Sequence, residues 1–113
     1  MADGGEPNET QRRALPEGAV CAVVRAETRD GADSEFESLL NDFAQNVRTG
    51  EPGCSSYVVT RMMGSRTHFA AHARFASWAA FEQHAETAHM ERVLPRLNAL
   101  LATPVSLEIF LEV

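Results

Sequence analysis

His84 and His89 are the side chains of this sequence best suited to proton transfer at neutral pH. The imidazole group ordinarily titrates near pH 6.5, so a histidine accepts and returns a proton under physiological conditions. Tyr57 adds a hydroxyl group, which must find a hydrogen-bond partner if it is buried and is therefore suited to contact a polar ligand atom. We take these three residues as the candidate catalytic residues.

The spacing of the two histidines argues against a metal site. On a continuous helix, His84 and His89 would point about 140° away from each other and would not share a metal ion unless the helix broke at Thr87. Each histidine also has a purely structural interpretation. His84 would then bond a backbone carbonyl group, and His89 would cap or brace the helix at the break. Both interpretations stay open at the level of sequence.

Aromatic residues close to these candidates predict a pocket for a flat ligand. They are Phe75, Trp78 and Phe81, which together with Tyr57 could line a cavity or form a plain hydrophobic core. Trp78 follows Ser77 at an expected helix start, where it could also act as a lid or a staple.

Charge and composition exclude several classes of function. The formal net charge is -6 and no basic face is concentrated in the sequence, so a small or neutral partner is favoured over nucleic acid. All ten basic residues are arginines, and the lack of lysine excludes Schiff-base chemistry and the usual phosphate-loop lysine. Cys21 and Cys54 have no metal-finger spacing and are interpreted as reduced thiols.

A length of 113 residues predicts a single domain. Residues 1–18 hold glycine and proline among polar residues, without the apolar stretch of a secretory signal, which indicates a flexible N-terminal tail on a cytoplasmic protein. The domain then covers residues 19–113. Its apolar runs are too short to cross a bilayer, so no membrane segment is expected and no cofactor or metal is assigned.

Alternation of β-branched and apolar residues predicts four strands, at Val20–Glu27, Cys54–Met62, Thr67–Phe75 and Val105–Val113. Asp33 and Ser34 are the expected N-caps of the first helix, with Glu37 completing a capping box with Ser34, and Gly50 and Pro52 are expected to end it. A second helix begins at Ser77, restarts or bends at Thr87, and must kink or restart again at Pro95.

This order, β-α-β-β-α-β, predicts an α+β, ferredoxin-like fold with both helices on one face of a four-stranded antiparallel sheet. On the third strand, alternation separates His68, His72 and Arg74 from an apolar set, Phe69, Ala71, Ala73 and Phe75. An outer face of mixed character on so apolar a sheet favours pairing with a second copy, so we predict a sheet-to-sheet homodimer.

Several landmarks occur together in the domain: Glu51-Pro52-Gly53-Cys54 followed by Tyr57, an aromatic third strand, the helix start Ala79-Ala80-Phe81, and the spacing His84-x-x-Thr87-x-His89. With these landmarks the chain from Val20 onward resembles the antibiotic biosynthesis monooxygenase family of small dimeric ferredoxin-like proteins. The resemblance implies a cavity between sheet and helices in each subunit and a sheet-to-sheet dimer.

The same resemblance implies a function. It suggests oxidation of a small aromatic substrate, of phenol, quinol or polyketide type, by dioxygen without metal, flavin or haem. His84 would be the base, with Tyr57 and His89 as hydrogen-bond partners of the developing oxyanion. The protein would supply a dry pocket, orientation and one base.

Ala73 is a departure from the family pattern and opens alternatives. Family members often carry a glutamate followed two residues later by an aromatic residue in the third strand, and these positions match Ala73 and Phe75. Glu82, Glu86 and Glu91 have the spacing of a solvated helix face, so we expect the missing acid to be uncompensated. A ligand-binding or pathway-accessory dimer without catalysis is the main alternative. An isomerase or a haem-degrading oxygenase is a further one, although the first strand lacks an asparagine for the latter.

Overall fold

The computed structural model describes residues 17–113, and residues 1–16 of the predicted tail lie outside the described residues. Seven elements follow one another along the chain: β1 (Val20–Glu27), α1 (Asp33–Gly50), β2 (Cys54–Arg61), β3 (His68–Phe75), α2 (Trp78–Ala85), α3 (Ala88–Asn98) and β4 (Ser106–Leu111). Within residues 17–113, no helix combines the length and the apolar character needed to cross a membrane.

The strands form one four-stranded sheet in the order β2-β3-β1-β4, with every neighbouring pair antiparallel. The central strand β1 pairs with β3 from Val20 opposite Phe75 to Glu27 opposite His68. The predicted α+β, ferredoxin-like order is confirmed, with the second helix of the pattern divided into α2 and α3.

That division arises because each half has its own N-cap. The side chain of Ser77 accepts a hydrogen bond from the backbone N–H three residues further on, which starts α2. Thr87 does the same for the N–H of Met90, which starts α3. Pro95 lies inside α3, so the chain restarts at Thr87 and not at Pro95.

The start of α1 differs from its prediction, whereas its buried face agrees. The N-cap position is Ala32 with no side-chain cap hydrogen bond, so the predicted capping box of Ser34 and Glu37 is wrong. Asp33 and Glu35 instead place negative charge in the first turn, where the helix dipole favours it. The predicted apolar stripe is buried: Phe36, Leu39, Leu40, Phe43, Ala44 and Val47.

The third strand has the two faces expected from its alternation. Its helix-facing residues are buried, namely Phe69, Ala71, Ala73 and Phe75. On the outer face, His72 bonds Thr60 at 3.0 Å, and Arg74 donates to both carboxylate oxygens of Glu112 at 2.8 and 2.7 Å. The outer surface of the sheet is therefore polar along β3.

The edge strand β4 is less covered than the alternation implied. Leu107 and Ile109 lie opposite Val24 and Ala22 of β1 and so share the helix-facing side of the sheet, yet they are 51% and 39% exposed. The cause is position, because β4 lies beyond β1 at the sheet edge and the described helices pack over the other strands.

Candidate active site

Glu51 brings the two histidines together. It follows the last residue of α1, and its backbone N–H still bonds the Val47 carbonyl oxygen while the chain turns into an extended conformation. Its carboxylate lies 2.9 and 3.1 Å from Nδ1 of His84 and 2.5 Å from Nε2 of His89. All three side chains are mostly buried, at 10%, 8% and 17% exposed respectively.

The helix break makes this convergence possible. His84 lies in the last turn of α2 and His89 in the first turn of α3, so the divergence expected on a continuous helix does not apply. Thr87 fixes the break by donating its hydroxyl proton to the His84 carbonyl oxygen at 3.0 Å while capping α3. The predicted restart of the helix at Thr87 is confirmed.

The hydrogen bond to Glu51 decides which nitrogen of His84 is free. An ionised carboxylate only accepts hydrogen bonds, so the proton of a neutral His84 lies on Nδ1. The described hydrogen bonds of the His84 side chain all use Nδ1, and His84 lines the adjacent cavity. In this tautomer Nε2 carries the lone pair, as a general base requires.

This cavity of about 240 Å³ lies between the sheet and helices α2 and α3. His84, Tyr57, Phe75 and Phe81 contribute to its walls. Its floor is formed by three small side chains, Ala22, Ala71 and Ala73, and we call these residues the alanine floor. A second cavity of about 180 Å³ shares His84 and Tyr57 with the first and extends towards α1.

Aromatic rings hold the His84 imidazole in place. Its centroid lies 5.0 Å from that of Phe75, 6.0 Å from Tyr57 and 5.7 Å from Phe43. Phe43 also lies 5.5 Å from the ring of His89. Packing of this kind restricts the rotation of the histidine and keeps water away from its Nδ1 side.

Tyr57 directs a proton donor at the same cavity. The residue is buried and lines the cavity. Burial, followed by the negative charges of Cys54 and Glu51, raises the pKa of Tyr57, so the phenol keeps its proton and acts as a donor. Arg48 fixes the strand at this point by donating to the Tyr57 carbonyl oxygen at 2.8 Å.

The structure thus groups most of the sequence-predicted site residues. Tyr57, Ala73, Phe75, Phe81 and His84 line one cavity. Two predicted residues are placed elsewhere. The ring of Trp78 packs on Phe81 at 5.4 Å without lining that cavity, and His89 lines a different groove and is linked to the cavity only through Glu51.

Sequence reasoning named Glu51 only as a family landmark and did not place it in the site. Its carboxylate contacts both helix histidines, in a chain that carries Ala73 at the expected acid position. A signal was available, because Glu51 follows the C-terminal end of α1, where the helix dipole disfavours negative charge. A carboxylate at this end of a helix needs stabilising contacts from elsewhere, and His84 and His89 provide them.

No cluster for a metal ion accompanies this site. Among residues 17–113, no three or more His, Cys, Asp and Glu side chains are arranged to hold one. The hydrogen bonds of Glu51 already occupy the nitrogens of His84 and His89 that face each other across it.

A model of the antibiotic biosynthesis monooxygenase (ABM) family matches residues 19–96, which is more than half of the chain. The chain belongs to the ABM family. The match includes Glu51, Tyr57, His84 and His89, so the site lies within the part of the chain that defines membership. A comparison of this ABM protein with curated proteins finds no match.

Solved structures share the fold of this ABM protein. A Caulobacter crescentus protein proposed to be an antibiotic biosynthesis monooxygenase is 22% identical, with 93% of this chain and 99% of that chain covered and a TM-score of 0.84. A variant of SnoaB, a cofactor-independent oxygenase from Streptomyces nogalater, is 22% identical, with 84% and 93% covered and a TM-score of 0.75. At such identities the likeness establishes the fold but not the substrate, which must be inferred from the residues of the site.

Proposed function

We propose that this ABM protein is a cofactor-independent monooxygenase that oxidises a small phenol, quinol or polyketide-type aromatic with dioxygen. The observation that carries the proposal is the orientation of His84, whose Nδ1 is held by Glu51 while Nε2 is left for the cavity. The cavity is lined mainly by apolar and aromatic side chains, which suits a flat substrate with one ionisable hydroxyl group.

In this mechanism His84 Nε2 removes the hydroxyl proton of the substrate. The buried carboxylate of Glu51 stabilises the imidazolium ion that forms, and the Tyr57 hydroxyl donates a hydrogen bond to the substrate oxyanion. The electron-rich phenolate then reduces dioxygen itself. One oxygen atom enters the ring and the other leaves as water, so a phenol and dioxygen give a quinone and water without an outside reductant.

Oxygen uptake with a panel of phenols and quinols tests this function. The wild type is expected to consume oxygen above background with at least one of them, and His84→Ala to lose the activity. His72→Ala is the matched control, because it removes an exposed histidine on the outer face of the sheet. Equal uptake by the wild type and His84→Ala, or none by either, would reject the proposal.

A ligand-binding or pathway-accessory protein without catalysis is the second candidate. The alanine floor favours it, because Ala73 replaces a family acid and leaves an apolar surface suited to binding. A thermal-shift screen with planar aromatics separates the candidates. Stabilisation by such compounds without oxygen uptake would support the binding protein.

We further propose that the molecule works as a cytoplasmic homodimer paired through the outer face of its sheet. That face combines ion pairs, such as Arg25 with Glu108, with exposed apolar residues, Val58 at 53% and Phe110 at 52%. The described cysteines are free, as expected in a reducing compartment. Size-exclusion chromatography with light scattering tests the dimer, and a monomer at micromolar concentration would contradict it.

A further inference from the structure

His89 opens to a space separate from the cavity. It lines a surface groove of about 390 Å³ between α1 and α3, and its side chain is 17% exposed, against 8% for His84. The charged and polar residues that share this groove are Asp42 and Asn46 of α1 and Arg92 and Arg96 of α3.

Glu51 joins the two spaces. Its carboxylate bonds Nδ1 of His84 on one side and Nε2 of His89 on the other, at 2.9 and 2.5 Å. Phe43 packs against both imidazole rings, and the carboxylate side chain is only 10% exposed. Cavity and groove are therefore connected by an unbroken series of hydrogen bonds between side chains that transfer protons.

We propose that His84, Glu51 and His89 form a proton-transfer chain that carries the substrate proton from the cavity to the surface groove. The inference rests on the proposed function for the source of the proton. Its structural basis is independent of the substrate, because hydrogen bonds link His84 in the cavity wall through Glu51 to His89 in the groove. We call this route the His84–Glu51–His89 chain.

One turnover brings one proton into the chain at His84 and releases one proton from it at His89. At the start His84 carries a proton on Nδ1, Glu51 is ionised, and His89 carries protons on both ring nitrogens. The substrate hydroxyl proton moves to His84 Nε2, the His84 Nδ1 proton moves to Glu51, and the His89 Nδ1 proton moves to water in the groove. Each histidine then holds one proton and Glu51 holds one, so the proton gained equals the proton released.

Charged and titratable groups from three elements surround this chain. From α1 come Asp42 in the groove and Arg48, which bonds the Tyr57 carbonyl oxygen. The negative charge of Glu51 contributes to the raised pKa of Cys54 and of Tyr57 in β2. Arg92 and Arg96 of α3 border the groove, where Asp42 offers an exposed acceptor for the released proton.

Solvent exchange of the His84 Nδ1 proton tests the chain without substrate. It is followed by NMR in full-length protein labelled with 15N-histidine, comparing the wild type with His89→Gln. Glutamine still donates a hydrogen bond to Glu51 but does not relay a proton. We expect exchange to slow by about 100-fold, the lower end of what a positioned proton carrier contributes, and to recover with added imidazole. His72→Gln, which alters an exposed histidine, is expected to leave exchange unchanged.

Exchange in folded His89→Gln that is as fast as in the wild type, or faster, would overturn the chain. The wild type supplies a second measurement if the variant does not fold. Benzene, which has no exchangeable proton, is expected to fill the apolar cavity and leave exchange unchanged, because the route leads to the groove. Slower exchange with benzene would place the exit in the cavity and overturn the inference. If the exchange results are as expected but the wild type consumes no oxygen with any substrate tested, the proposed monooxygenase is rejected and the proton-transfer chain is retained.

Discussion

Glu51 Oε1 lies 2.9 Å from Nδ1 of His84, a contact between residues 33 positions apart. The contact places a carboxylate against a helix histidine in a family member whose third strand carries Ala73 at the expected acid position. It also fixes the protonation of the imidazole and leaves Nε2 for the cavity. The orientation of one histidine thus depends on the short connection between α1 and β2.

Replacing this carboxylate is the most direct test of its role. We expect Glu51→Gln to lower kcat for oxygen uptake by about 100-fold, because the amide no longer stabilises an imidazolium ion at His84. Glu82→Gln, which alters an exposed residue of α2, should keep the wild-type rate. Equal rates for the wild type and Glu51→Gln would show that His84 needs no acid.

The position of Glu51 depends on a close approach at Gly53. A Cβ atom at residue 53 would lie 2.6 Å from the Cβ atom of Ala80, the third residue of α2. We expect Gly53→Ala to destabilise the fold by about 1–3 kcal/mol, because backbone or helix must move. Gly50→Ala is the matched control, since its Cβ would meet no atom within 4 Å. Chemical denaturation of both variants measures the difference, and equal stabilities would contradict the clash.

The raised pKa of Tyr57 makes the free energy of unfolding depend on pH in the alkaline range. Its pKa is raised in the folded state, so above about pH 10 the unfolded chain loses the phenol proton while the folded chain keeps it. The unfolded state then binds fewer protons, and the free energy of unfolding falls as pH rises, by up to about 1.4 kcal/mol per pH unit. Tyr57→Phe should remove this part of the fall in denaturation measured from pH 9 to 12.

The same residue offers an optical control. Tyr57 is the only tyrosine in the chain, so phenolate absorbance reports its ionisation alone. We expect no phenolate signal in the folded protein at pH 10 to 11 and a normal titration in denaturant. Ionisation near pH 10 in the folded protein would contradict the burial argument.

Enlarging the alanine floor should close the cavity without harming the fold. We expect Ala73→Leu to abolish stabilisation by planar aromatics in a thermal-shift assay, because the new side chain occupies space above the floor. The stability of the free protein should stay the same or rise by about 0.5–2 kcal/mol, as cavity filling commonly does. Ligand shifts equal to those of the wild type would show that binding occurs elsewhere.

A charge on the outer face of the sheet tests the dimer. Phe110 is 52% exposed there, and Phe110→Asp should convert the proposed homodimer to a monomer by placing a desolvated charge in the interface. Met63→Asp is the control, because Met63 is 95% exposed in the turn between β2 and β3. Light scattering decides the outcome, and a persistent Phe110→Asp dimer would require another interface.

The fold was predictable because local patterns determine it. The apolar stripe of α1 and the alternation of β3 each specify which side chains are buried, and the structure agrees with both. These patterns identify the elements, and their order along the chain, β-α-β-β-α-β, then predicts the ferredoxin-like fold.

The site was only partly predictable because its key contacts are not local. His84, Tyr57 and Phe75 were recognised by residue type and spacing, whereas Glu51 meets His89 across 38 positions and through a helix break. The half-exposed β4 was missed for a similar reason. Alternation predicts which side of the sheet a side chain faces. Whether a helix covers that side chain depends on the position of its strand in the sheet, and β4 is at the edge.

The alanine floor has an evolutionary consequence. The hydrogen bonds of Glu51 to His84 and His89 do not involve the floor, so a single substitution in the floor would change the cavity volume while these contacts stay in place. Ala22 and Ala71 lie on two different strands, which gives selection more than one direction in which to reshape the space. Larger side chains at these positions would select smaller ligands within a fold that the chain shares with the Caulobacter crescentus protein at 22% identity.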